Sequence, residues 1–111
     1  MTLKEYQEYC LRTSSKKRDD NSDILISALG LSGESGEVAD LLKKVFGHGH
    51  QLDIERLKSE LGDCLFYIAD LCSKYNLSLE EVATYNIEKL KKRYPDGFSP
   101  EKSINRSPDD K

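Results

Sequence analysis

Four carboxylate residues form two pairs whose spacing suits a shared chemical task. Glu34 and Glu37 are three residues apart, and so are Glu60 and Asp63. In a helix, this spacing puts both side chains of a pair on one face. Carboxylate oxygens are the hard ligands that Mg²⁺ and Mn²⁺ prefer, so two converging pairs would suit a divalent metal ion. A single pair of this kind is more often a solvated helix face, and the pairs alone leave both interpretations open.

The elements that must position these pairs are helices. All three prolines lie at or beyond Pro95, and the apolar residues before it recur at helical spacing. We predict four helices, over about residues 2–13, 24–46, 53–75 and 78–94, with a polar connector at 14–22. The predicted fold class is therefore an all-α four-helix bundle, in one domain that spans residues 1–98. Residues 99–111 have one large aliphatic side chain, so we expect a flexible tail there.

Capping signals set the predicted helix boundaries. Thr2 and Ser78 each begin a capping box, and Asp53 is placed to cap the third helix. The second helix has Asn21, Ser22 or Asp23 as its expected N-cap and Gly47 as the glycine that ends it. Asn76 is predicted to make the turn after the third helix.

Three glycines lie inside the second predicted helix, at positions 30, 33 and 36. Each costs about 1 kcal/mol relative to alanine in a helix interior, so a compensating reason is expected. The spacing of three is compatible with a close helix contact, a bend, or room for a bound group. A break into two shorter helices near Gly30–Gly33 is an alternative.

The two acidic pairs are predicted to reach the same height in a helical hairpin. The connector between Gly47 and Asp53 is short, so the second and third helices should be antiparallel neighbours. At a rise of about 1.5 Å per residue, the first pair lies roughly 15–20 Å from the hairpin end and the second roughly 10–15 Å. Carboxylates that converge in this way raise one another's pKa unless a cation neutralises them.

Several other side chains fit a phosphate ligand beside such a site. Tyr67 lies one turn beyond Asp63, where its ring would either stack on a planar group or pack in the core. Lys44 is seven residues after Glu37, so the two side chains lie on the same face of the second helix. The fourth helix carries further polar and basic side chains on one face: Asn86, Lys89 and Arg93. Beside a filled metal site, these cations would suit a polyphosphate.

Composition and charge argue against several other classes of function. Seventeen Lys and Arg residues against twenty Asp and Glu give a net charge of −3, which argues against binding a nucleic acid polymer. We expect no membrane association, because the apolar runs are short and the N-terminus lacks a signal-peptide pattern. Three dispersed cysteines favour a reducing, cytoplasmic location. His48 and His50 lie in the hairpin loop, where solvated side chains are the simpler interpretation and a transition-metal site the alternative.

Residues 24–98 resemble the MazG-type nucleotide pyrophosphohydrolases of the all-α NTP pyrophosphohydrolase superfamily. The resemblance rests on Glu-x-x-Glu at 34–37, Glu-x-x-Asp at 60–63, and the run from Asn86 to Phe98. It implies Mg²⁺-dependent hydrolysis of (deoxy)nucleoside triphosphates to the monophosphate and pyrophosphate, with Mn²⁺ as a possible substitute. The implied nucleophile is a metal-activated water that attacks the α-phosphorus, and the implied role is nucleotide-pool clearing or dNTP control.

The resemblance also assigns residue roles. The implied catalytic metal ligands are the four carboxylates Glu34, Glu37, Glu60 and Asp63, with the general base unassigned among them. Tyr67 would lie beside the base, and the implied phosphate and sugar contacts are Lys44, Asn86, Lys89 and Arg93. Relatives assemble as homodimers or homotetramers. The alternatives are a non-catalytic helical module that dimerises or binds nucleotide, and a metal-binding bundle without a nucleotide role.

Overall fold

The computed structural model describes residues 1–14 and 19–110, and this part of the chain is helical without any strand. Its helices are α1 (Leu3–Cys10), α2 (Asp20–His48), α3 (Ile54–Lys74), α4 (Leu79–Arg93) and α5 (Pro100–Ile104). The four predicted helices are all present, and the prediction of an all-α fold is confirmed.

The long helices α2 and α3 form an antiparallel hairpin, while α1 and α4 pack near the C-terminal half of α3. The small apolar core lies at this end of the hairpin. Its buried members come from three helices and are Cys10, Ala69, Cys72 and Leu79. The side chains packed against them are Tyr6, Phe66, Ile68 and Val82. The other half of the hairpin therefore extends beyond the core.

Local capping chemistry explains most of the helix boundaries. The capping boxes at Thr2 and Ser78 are both formed, each with the Glu three residues later. The Asp53 carboxylate accepts a hydrogen bond from the backbone N–H of Arg56 at 3.1 Å, so Asp53 caps α3 as predicted. Asn76 adopts a positive φ of 56°, which confirms it as the turn residue after α3.

Both predicted ends of α2 were wrong. The helix begins four residues earlier than expected because the Asp19 carboxylate accepts the N–H of Ser22 at 2.9 Å and acts as the N-cap. It ends at His48, and Gly49, with φ of 74°, is the left-handed C-cap instead of Gly47. The alternative of a break near Gly30 is also wrong, because α2 is continuous. The connector predicted over residues 14–22 lies partly outside the described residues.

Gly30 allows a close approach between α2 and α3. A Cβ atom at this position would overlap the ring of Tyr67, whereas the same atom at Gly33 or Gly36 would meet nothing within 4 Å. Of the three explanations for the glycines, close helix contact therefore holds for Gly30.

The segment after α4 folds back toward that helix. The rings of Tyr94 and Phe98 lie 5.2 Å apart, and Ser99 caps the short helix α5. Farther along the chain, the Asp110 carboxylate forms a bidentate ion pair with the Arg93 guanidinium. The flexibility expected for residues 99–111 stays a prediction.

Candidate metal and nucleotide site

The acidic pairs meet across the α2–α3 interface. One carboxylate oxygen from each of Glu34, Glu60 and Asp63 lies within 4.8 Å of the others, and we call these three residues the acidic group. Glu34 and Glu60 are half-buried, while Asp63 is exposed. Three hard oxygen donors at this spacing match the ligand chemistry of Mg²⁺ or Mn²⁺.

Glu37 stands outside this arrangement. It lies one turn farther along α2, and its side chain is exposed. Its carboxylate is not within the 4.8 Å group, although its charge still acts on Glu34. The four-carboxylate ligand set therefore stays a prediction, of which the structure brings three members together.

The electrostatics of the acidic group favour a cation. The pKa of Glu34 is raised above its ordinary value, first by burial and then by the negative charges of Asp63 and Glu60. A weaker contribution in the same direction comes from Glu37. Mutual repulsion of this kind is relieved either by a proton or by a bound metal ion.

One cation of the chain itself reaches the acidic group. The Nε of Arg56 lies 3.4 Å from Oε1 of Glu60, one helical turn away on α3. The Arg56 side chain is mostly exposed, so this pair offsets little of the repulsion. Our sequence reasoning missed Arg56, although its i,i+4 spacing from Glu60 is a readable signal.

Tyr67 lies beside the acidic group but inside the helix interface. Its ring packs against the backbone of Gly30 and stands edge-on to Phe66, with ring centroids 5.1 Å apart. The side chain is half-buried. Packing against α2 is thus its observed role, and stacking on a nucleotide base stays a prediction.

The predicted phosphate contacts lie on two other surfaces. Lys44 binds Asp40 of its own helix at 3.0 Å. On α4, Asn86 is exposed and Lys89 half-buried, and the Arg93 guanidinium is held by Asp110 at 2.5 and 2.7 Å. Within the described residues, no hydrogen bond or ion pair joins these four side chains to the acidic group.

A cavity of about 360 Å³ lies between α4 and the returning tail. Its lining includes both basic and acidic side chains: Tyr85, Glu88, Lys89, Lys92, Asp109 and Asp110. The Asp110 contact was absent from our sequence reasoning, because a pair separated by seventeen residues leaves no local pattern.

The sequence of residues 24–98 matches the family model of the MazG nucleotide pyrophosphohydrolase domain. The chain belongs to the MazG family. The matched segment contains both acidic pairs together with all of α3 and α4, so the resemblance stated from the residues is confirmed.

A phage protein is also similar to this MazG-family chain. The Gene 37 protein of Mycobacterium phage L5 is 36% identical over 69 residues, which cover 59% of this chain. The match spans 60% of the length of the phage protein. No solved structure matches the chain. Among the described residues, no helix has the length and apolar character needed to cross a membrane.

Proposed function

We propose that this chain hydrolyses (deoxy)nucleoside triphosphates to the monophosphate and pyrophosphate with Mg²⁺ held by the acidic group. The observation that carries the proposal is the convergence of Glu34, Glu60 and Asp63 within a domain that matches the MazG family. Glu37 would join them as a fourth ligand. Mn²⁺ satisfies the same ligand chemistry and would substitute.

The donor set of the acidic group fits the proposed ion. All three groups are carboxylates, and the pKa of Glu34 is raised by burial and then by the negative charges of its carboxylate neighbours. When bound, Mg²⁺ lowers the pKa of a coordinated water molecule and screens the charge of the phosphates. The carboxylates of the chain orient the ion, and one of the four accepts the proton of the attacking water.

The basic face of α4 would bind the polyphosphate and the sugar. Lys89 and Arg93 supply cations, and Asn86 supplies an amide on the same face of the helix. A guanidinium that binds a carboxylate through two parallel hydrogen bonds has the geometry that also suits a phosphate. The Nε and Nη2 groups of Arg93 both donate to the Asp110 carboxylate. A phosphate would therefore have to displace Asp110 before it could bind these two donors.

We also propose that the chain works as a homodimer or homotetramer. Its radius of gyration is 17.0 Å, whereas a compact chain of this length has about 13 Å. Its accessible area of 8496 Å² exceeds the roughly 6,200 Å² expected for a folded monomer of this mass.

The surplus area suits a large interface between copies. Obligate homodimers bury about 2,000–5,000 Å² in total, half of it on each chain. Both helices of the hairpin carry exposed apolar side chains: Leu25, Leu29, Leu61 and Leu65. Sedimentation analysis should therefore give at least twice the mass of one chain, and a monomer at micromolar concentration would contradict this proposal.

A substrate panel tests the hydrolase proposal most directly. Purified protein is incubated with the common NTPs and dNTPs, with and without Mg²⁺, and released pyrophosphate is measured. We expect metal-dependent release that falls at least about 100-fold in Asp63→Asn and in Glu60→Gln, because each removes a ligand charge. Glu55→Gln is the matched control, since Glu55 is an exposed carboxylate on the same helix that binds Lys58.

Two outcomes would redirect the proposal. Full turnover in both ligand variants would contradict a mechanism based on the acidic group. Nucleotide-dependent thermal stabilisation without pyrophosphate release would indicate the non-catalytic nucleotide-binding module instead.

A further inference from the structure

A buried ionic cluster joins α2 to α3 about two turns from the acidic group, toward the N-terminus of α2 and the C-terminus of α3. Its members are Ser27 and the backbone carbonyl of Asp23 on α2, and Asp70 and Lys74 on α3; we call it the buried clamp. The Ser27 hydroxyl lies 2.5 Å from Oδ2 of Asp70. The Lys74 ammonium donates to the same Asp70 oxygen at 2.9 Å, to the Ser27 hydroxyl at 2.6 Å and to the Asp23 carbonyl at 2.8 Å.

The buried clamp is removed from solvent. Ser27 is fully buried, Asp70 is 3% exposed, and the Lys74 side chain is 13% exposed. Two further carboxylate oxygens, Oδ1 of Asp23 and Oδ1 of Asp70, are buried with no hydrogen-bond partner among the described residues. Buried ion pairs carry a large desolvation cost, and well-packed apolar replacements are often as stable. Stability alone is therefore a weak reason for this cluster.

The buried clamp stands in register with the acidic group. Seven residues separate Ser27 from Glu34 on α2, and seven separate Asp63 from Asp70 on α3. Seven residues are close to two helical turns, so each pair lies on one stripe of its helix, about 10 Å apart along the axis. Gly30 and Tyr67 form the packed layer between them.

Register decides whether the acidic group can form. If α3 slides by one turn along α2, Asp63 moves about 5 Å from Glu34, which exceeds the tolerance of a metal site. Apolar side chains on such an interface are compatible with several neighbouring registers, whereas directional bonds to Ser27 and Asp23 fit one.

We infer that Ser27, Asp70 and Lys74 are positioning residues that hold α2 and α3 in the register where Glu34 and Asp63 share one cation. They touch neither the acidic group nor any ligand of it, and act through the helix backbones. The inference rests on the metal site of the proposed function. It explains which contacts hold the two helices so that the carboxylates of that site converge.

The test separates metal binding from folding stability. The double variant Asp70→Leu/Lys74→Met replaces the ion pair with apolar side chains, and Ser27 keeps its bond to the Asp23 carbonyl at 3.2 Å. Binding of Mn²⁺ alone is measured by titration calorimetry, and melting temperature by circular dichroism. We expect a melting temperature within a few degrees of the wild type and an affinity for Mn²⁺ about tenfold lower, the scale of lost ligand orientation.

The control is Glu55→Gln/Lys58→Met, which removes an exposed ion pair from the same helix and should leave Mn²⁺ affinity unchanged. Unchanged affinity in a folded Asp70→Leu/Lys74→Met protein would overturn the inference while leaving the proposed function intact. A wild-type protein that binds no Mn²⁺ would contradict the proposed function itself, so the two failures are distinguishable.

Ser27→Ala provides a second, milder variant in case the double variant does not fold. It removes only the hydroxyl that bridges the two helices and leaves every charge in place. We expect Mn²⁺ affinity to fall about threefold. Wild-type affinity in folded Ser27→Ala would contradict the assignment of Ser27 and, if the double variant is unfolded, the inference as a whole.

Discussion

The buried clamp and the acidic group lie about two turns apart on the same helical hairpin, and the pKa of a carboxylate is shifted in opposite directions in the two places. In the buried clamp, burial alone would raise the pKa of Asp70, but the bond from Lys74, with the hydroxyls of Ser14 and Ser27, lowers it below its ordinary value. In the acidic group, burial and neighbouring carboxylates together raise the pKa of Glu34.

The difference lies in whether the fold supplies a counter-ion. Asp70 has a nearly buried ammonium at 2.9 Å, whereas within residues 1–14 and 19–110 the acidic group has only the exposed Arg56, at 3.4 Å from one of its members. Each place has a carboxylate with a cation four residues away on α3, but the two cations differ in burial. A carboxylate cluster that the chain leaves unbalanced is the one suited to an external cation.

The largest contrast is expected from removing one charge in each group. Asp70→Asn leaves the Lys74 ammonium buried without its partner and should lower the free energy of unfolding by about 3 kcal/mol. Asp63→Asn relieves repulsion and should cause no loss in metal-free buffer. Urea denaturation with EDTA measures both, and equal destabilisation by the two substitutions would remove the contrast.

Metal binding should stabilise one group selectively. At Mg²⁺ one hundred times above its dissociation constant, the wild type should gain about 2.7 kcal/mol, or roughly 10 °C in melting temperature. Glu60→Gln should lose most of this gain, whereas Glu55→Gln should keep it. A full shift in Glu60→Gln would place the ion outside the acidic group.

The packed layer between the two groups is sensitive to a single methyl group. Gly30→Ala forces a Cβ into the ring of Tyr67 and should cost about 1–3 kcal/mol of stability. Gly33→Ala is the matched control, because its Cβ meets nothing within 4 Å and the substitution should stabilise the helix by up to about 1 kcal/mol. Thermal melts of both variants decide whether only position 30 is a contact site.

The smallest expected effect is a pH dependence of opposite sign in the two groups. Because the folded pKa of Glu34 is raised, its proton-linked stability is present below the ordinary value of 4.5 and is lost as pH rises through the raised pKa. Because the folded pKa of Asp70 is lowered, its contribution is present above the ordinary value of 3.8 and is lost as pH falls through the lowered pKa.

The measurement is metal-free urea denaturation between pH 3 and 7, comparing the wild type with Glu34→Gln. The advantage of Glu34→Gln over the wild type should grow as pH rises above 4.5. A constant difference across that range would show that Glu34 carries no shifted pKa.

Much of the fold follows from short-range patterns in the sequence. The capping boxes at Thr2 and Ser78 and the cap at Asp53 act within four residues, so each is readable without knowledge of the rest of the chain. The same holds for the two acidic pairs, whose three-residue spacing is set by the helix itself. Position along the hairpin then predicted that the pairs lie at similar heights.

The errors at the two ends of α2 show where local capping patterns do not predict a single helix boundary. Several capping residues precede this helix and two glycines follow its apolar stripe, so more than one boundary satisfied the same rules. The structure uses Asp19 and Gly49, neither of which was among the predicted caps, and the helix is longer than predicted at both ends.

By itself, the sequence determined the helices, the N-caps of α1, α3 and α4, and the faces that carry the carboxylates, because these depend on interactions within one or two turns. Only the tertiary structure decided that Glu37 stands apart, that Arg93 is held by Asp110, and that the hairpin has the register of the buried clamp. These outcomes depend on contacts between residues 17 to 51 positions apart, whose partners are chosen by packing and burial rather than by local spacing.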